Sequence, residues 1–103
     1  MRLMTDPDDI DLSFAPRRAR DVAAVELERR AVLYRSGEML QLDELATLLW
    51  NCFDGQTRLE ALVDDLVCVY GTDRTAVEAD VVSFARNLGH EGLLEGVQAA
   101  QAG

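Results

Sequence analysis

The sequence predicts an α+β domain in which a three-stranded antiparallel sheet is followed by three helices. Two observations carry this. Residues Val22–Leu42 show two-residue alternation and β-branched runs, whereas Asp43–Leu88 shows the three- and four-residue spacing of helices. Asp54-Gly55 and Gly71 then cut the helical half into three pieces, glycine being the residue that closes a helix in a left-handed turn. Strands grouped before helices, rather than alternating with them, define the α+β class. A chain of 103 residues holds one core of modest size.

The strand assignments rest on short patterns. In VAAVEL (Val22–Leu27), Ala23, Val25 and Leu27 share a face. AVLYR (Ala31–Arg35) is β-branched and aromatic, and EMLQL (Glu38–Leu42) places Leu40 and Leu42 opposite Met39 and Gln41. Ser36-Gly37 is a hairpin turn; Glu28-Arg29-Arg30 offers no Gly or Asn, so its turn type stays open.

Asp43 is an N-cap for the first helix. From Leu45 to Phe53, apolar residues cover roughly 200° of its circumference. That predicts a hub contacted by the sheet on one side and by helices on the other. Thr57 with Glu60, and Thr75 with Glu78, have the capping-box spacing that opens the next two helices. Leu59, Leu62, Val63, Leu66, Val67 and Tyr70 form the stripe of the second. Val77, Val81, Phe84, Ala85 and Leu88 form that of the third. Leu93-Leu94, after Gly92, is expected to fold back over the core. Residues 1–15 read as an acidic flexible tail, 16–96 as the domain, and 97–103 as a flexible C-terminal tail.

Charge narrows the possible functions. The net charge is −9, and residues 36–103 hold three arginines against twelve acids. That balance disfavours nucleic acid, whose phosphates attract clustered Lys and Arg. The absence of lysine removes Schiff-base and P-loop lysine chemistry. No apolar run is long enough to span a bilayer and no export signal is evident, so no membrane role and a cytoplasmic location are expected. Cys52 and Cys68 are expected as small buried hydrophobes. His90 is an imidazole at a helix end, and the Asp6, Asp8, Asp9 and Asp64-Asp65 clusters are solubility features. No metal, cofactor or catalytic site is expected; the chain is not read as an enzyme.

Surface geometry remains. The third strand has an open edge, and Glu38, Met39, Leu40, Gln41 and Leu42 carry one charge and no proline to blunt it. An extended peptide could add there as a further strand, or a loop or the N-terminal tail could cover the edge. On the third helix, Val82 points about 125° from the centre of the stripe, with Glu78, Ala85 and Arg86 near it. Beside a peptide, Val82 and Ala85 would form an apolar wall and Arg86 would pair with an acidic residue.

Leu42-Asp43-x-x-Ala46, Leu49-Trp50, Asp54-Gly55-x-Thr57 with Leu59 and Leu62, and Leu88-x-x-x-Gly92-Leu93-Leu94 together resemble the PqqD-like family over Pro16–Glu95. Asp43 stands where the family commonly has Asn; both cap helices. The resemblance implies a winged-helix-like RiPP recognition element that binds the leader of a ribosomally made precursor peptide. The leader would lie on the third strand, against the third helix, and be presented to a modifying enzyme, often a radical SAM enzyme. The expected protein is a monomer or weak dimer. The alternatives are a winged-helix DNA-binding regulator, which the acidic Glu78 and Asp80 oppose, and a homodimer through the same edge strand.

Overall fold

The computed structural model describes residues 4–98 of the chain. A 3-10 turn (Pro7–Asp9) precedes β1 (Ala23–Leu27), β2 (Arg30–Arg35), β3 (Glu38–Gln41), α1 (Glu44–Asn51), α2 (Leu59–Tyr70) and α3 (Arg74–His90). The sheet is antiparallel in the order β1-β2-β3, with both outer strands open. Leu33 pairs with Ala24 and Leu40, and Tyr34 with Ala23 and Met39. Alternation therefore turns Leu33 into the core and leaves Tyr34 and Met39 on the outer face. The sheet expected from the sequence is present, followed by the three helices.

The first hairpin turn has a physical answer that composition hid. Glu28 and Arg29 both adopt positive φ (52° and 68°), so two residues that disfavour the left-handed region make the connection. Ser36 and Gly37, at 51° and 81°, make the second turn in the same way.

Asp43 caps α1 as expected, accepting a hydrogen bond from the Ala46 N–H at 2.8 Å. The buried Thr47 ties this helix to the sheet. Its hydroxyl accepts from the Ala31 N–H at 2.8 Å and donates to the Asp43 carbonyl at 2.7 Å. Thr47→Val leaves the Ala31 N–H buried without an acceptor, so a loss of about 1–3 kcal/mol is expected in urea unfolding. Leu49 and Trp50 reach the core, but Leu45 and Leu48 stay 41% and 51% exposed. The hub is thus enclosed on one side and open on the other, a departure from the enclosed helix that its sequence suggests.

Neither capping box forms. α2 starts at Leu59, where Arg58 makes no side-chain cap. The Leu59 and Glu60 N–H groups instead donate to the Phe14 and Leu12 carbonyls, each at 2.9 Å. Asp54 takes over the turn before it, accepting from the Gln56 and Thr57 N–H groups at 2.8 Å. α3 is capped by Asp73, which lies nearer its start than Thr75, while Glu78 pairs with Arg74 at 3.1 Å.

Hydrogen bonds from the Gln56 and Thr57 backbones hold the Asp54 carboxyl below its usual pKa. A lowered folded-state value means that the stabilisation is complete above the ordinary carboxylate range. It is lost as pH falls through the folded value. Stability should therefore drop below about pH 4, and Asp54→Asn should flatten that drop in acid titrations followed by circular dichroism.

The largest departure is at the N-terminus. Residues 4–15, expected as a flexible tail, pack onto the helices. Ile10 is 0% exposed, Pro7 is buried, and Leu12 and Phe14 lie against the core. The Thr5 N–H donates to the Gly96 carbonyl and the Gln98 N–H to the Thr5 carbonyl, each at 2.8 Å, which joins the two ends of the described segment. Val97 is buried as well, so the C-terminal segment is structured as far as Gln98; the remainder of both expected tails lies outside the described residues. Gly89 makes the crossing possible, since a Cβ there would lie 2.9 Å from Val97 Cγ1 and 3.3 Å from Ile10 Cδ1. Leu93 and Leu94 fold back over the core as expected, the Leu93 carbonyl accepting from the Ala19 N–H. Cys52 and Cys68 are both exposed rather than buried, because one closes α1 and the other faces away from the α2 stripe. Among the described residues, no helix is long and apolar enough to cross a membrane.

Candidate peptide-binding groove

Backbone phase determines what β3 offers. The Leu42 N–H donates to the Ala31 carbonyl at 2.8 Å, so Ala31 and Leu42 form a hydrogen-bonded pair. Such pairs recur at every second residue of an antiparallel ladder. The Leu40 backbone therefore also points to β2, through its partner Leu33. Met39 and Gln41 lie in the alternate, non-hydrogen-bonded positions, and their N–H and C=O groups face the open edge. The two residues share one phase and act together. Leu42, the last of the expected edge residues, is buried and committed to Ala31.

One concavity flanks this edge and a second lies beyond its end. The first, about 400 Å3, is lined by Glu38, Met39 and Leu40 with Leu33, Glu91 and Leu93. The second, about 870 Å3, begins at Asp43 and Glu44, directly after β3. Its apolar wall comes from Leu45 and Leu48 of α1, Leu66 and Tyr70 of α2, and Val77 and Phe84 of α3. The uncovered side of α1 is thus the floor of a groove. At about 100° per residue, Asp80, Phe84 and the C-cap Glu91 fall within roughly 40° of one another about the α3 axis. That single face of α3 borders both concavities.

The structure places the flank read from the sequence on another side of α3. Val82 and Arg86 lie roughly 140–180° around α3 from Glu91, and with Glu78 they line a third concavity, whose other wall is Asp8 and Leu12. Arg86 is occupied there, its Nε donating to the Ile10 carbonyl at 3.0 Å. His90 shares that side, with Nε2 2.9 Å from Asp8 Oδ1. Ala85 is 0% exposed and belongs to the core. The reason is a rotation of the helix. The N-terminal segment covers Gly89, so the buried arc centres on Val81, Ala85 and Gly89. The Asp80–Phe84 face is left to line the larger concavity. Sequence reasoning did not single out Val77, Asp80, Phe84 and Glu91 as bordering the two concavities beside and beyond β3. The signal that could have found them was Gly89, a glycine inside a helix with no capping role.

Electrostatics add a sign to the groove. Glu26, Asp43, Glu44 and Asp80 border the larger concavity, with Arg29 the one cation among its lining residues. Glu38 and Glu91 border the smaller one, where Arg35 is held by Asp21 at 2.9 Å and by the Gly92 carbonyl. Glu26, Glu38, Glu44, Asp80 and Glu91 take part in no ion pair among the described residues.

A three-stranded sheet with an open edge at β3, beside concavities bordered by the last of three helices, defines a winged-helix-like domain of the RiPP-recognition-element kind. Residues 20–94 match the family model of coenzyme PQQ synthesis protein D, and the chain belongs to the PqqD family. It is 32% identical over 79 residues to the PqqA binding protein of Rhodopseudomonas palustris strain TIE-1, covering 77% of this chain and 76% of that one. With the PqqA binding protein of strain HaA2 it shares 29% identity over 69 residues, covering 67% and 68% of the two chains. Two solved structures are similar. The PqqD truncation of Methylobacterium extorquens PqqCD, a stand-alone RiPP recognition element, superposes with a TM-score of 0.74 at 25% identity, covering 86% of this chain and 97% of that one. TbiB1, solved in complex with the TbiA(beta) leader peptide, gives 0.70 at 29% identity, covering 78% and 95%.

Proposed function

We propose that this protein is a non-catalytic chaperone that binds the leader of a ribosomally made precursor peptide and presents it to a modifying enzyme. The observation that carries this reading is the paired, outward-facing backbone of Met39 and Gln41 beside an apolar groove, in a member of a family whose relatives bind PqqA. A leader laid along β3 extends the sheet by one strand, with backbone hydrogen bonds supplying affinity and alternate side chains supplying selectivity. Glu38, Met39, Leu40 and Gln41 form the strand side of the site; Val77, Asp80, Phe84 and Glu91 form the helix side.

The enzyme that receives the leader is a radical SAM enzyme in this reading, and the encounter takes place in the cytoplasm, where ribosomal precursors are released. The free protein is a monomer, because pairing of two β3 strands would occupy the edge the leader needs. Fluorescence anisotropy tests the reading, using labelled leaders of the short peptides encoded beside the gene, titrated with the full chain. Saturable binding of one of them is expected. Failure of all of them, with a stable dimer in sedimentation, would overturn the reading.

A further inference from the structure

We propose that the groove selects its peptide by charge, taking leaders in which lysine or arginine flanks an apolar centre. This rests on the leader-binding reading above and adds to it the chemical class of the ligand. A strand lying on β3 alternates its side chains between the two faces of the sheet. Those turned inward share the face of Glu38 and Leu40 and meet Leu33 and Leu93 along the strand, with the Val77–Phe84 wall beyond its end; these surfaces take apolar groups. The groups that rim the trough are carboxylates at both ends. Glu38 and Glu91 stand beside the start of β3, and Glu44 and Asp80 stand beyond its end.

None of those four is neutralised by an arginine among the described residues, whereas Asp64 and Glu78, on other faces, are both paired with Arg74. An acidic residue entering the trough would be desolvated among like charges, while a basic one would meet unpaired partners. The arginine lining the smaller concavity does not change this, since Arg35 is committed to Asp21 and the Gly92 carbonyl. Arg29, the one cation lining the larger concavity, would tolerate one acidic residue there.

An unbiased display library of random twelve-residue peptides, selected on the full-length protein, tests this without knowledge of the natural leader. The same selection is run on Gln41→Pro and on the double variant Glu44→Gln/Asp80→Asn. The expected result is enrichment of peptides rich in Lys or Arg and apolar residues, lost on Gln41→Pro. The enriched peptides should bind the double variant roughly three- to tenfold more weakly, with a shallower dependence on salt. Enrichment of neutral or acidic peptides that still depends on Gln41 would overturn the charge proposal and leave strand addition standing. Enrichment indifferent to Gln41→Pro would overturn strand addition itself, and the charge proposal with it.

Discussion

Gln41→Pro should weaken leader binding at least about tenfold while leaving the fold intact. Proline has no N–H to donate to an added strand, and its ring obstructs the approach of a neighbour. Loss of one hydrogen bond to a desolvated partner costs about 1–3 kcal/mol, and the steric term adds to it. The fold survives because the Gln41 N–H faces the open edge, the position where strands accept proline. Met39→Pro shares the same phase, so the same loss is expected. Leu40→Pro is the control with the opposite behaviour: its N–H belongs to the ladder with Leu33, and the variant should unfold more easily. Anisotropy of a bound leader, together with thermal melts, separates the two classes. Equal binding by Gln41→Pro and the wild type would exclude the edge as the site.

Ile10→Ala should cost about 2–5 kcal/mol in urea unfolding, the usual range for emptying a buried branched side chain. The effect is large because Ile10 sits at a crossing. It packs against the Gly89 surface of α3, its carbonyl holds Arg86, and the residues after it supply the acceptors for the start of α2. Gly89→Ala attacks the crossing from the other side, placing a Cβ 2.9 Å from Val97 Cγ1. Both substitutions should loosen residues 4–15. A change below about 0.5 kcal/mol for Ile10→Ala, the range of an ordinary surface substitution, would show that this segment is dispensable to the domain.

The parts of the fold legible in the sequence are those governed by local period and by turn chemistry. The β2 and β3 alternation, Ser36-Gly37, the Asp43 cap and the stripe of α2 all have strong local signals. The Glu28-Arg29 turn has none, since neither side chain favours positive φ, and only the pairing of Leu27 with Arg30 imposes it. The N-terminal segment is equally silent. Pro7, Ile10, Leu12 and Phe14 contribute singly, with no period, and their partners lie far along the chain. That one omission propagates to the site. Because the segment covers the Gly89 side, α3 is rotated from the position its own apolar pattern suggests. The proposed strand side of the site was therefore legible in Glu38–Gln41, whereas the α3 face that borders the larger concavity, Asp80 and Phe84 rather than Val82 and Arg86, depended on a contact beyond any local window.

The most direct measurement is hydrogen exchange at β3, residue by residue, with and without a saturating leader. Strand addition requires the Met39 and Gln41 amides to exchange quickly in the free protein and to become protected in the complex. The Leu40 amide, already bonded within the sheet, should change little. Protection that appears along the Val82–Arg86 face of α3 instead, with Met39 and Gln41 unchanged, would contradict the account.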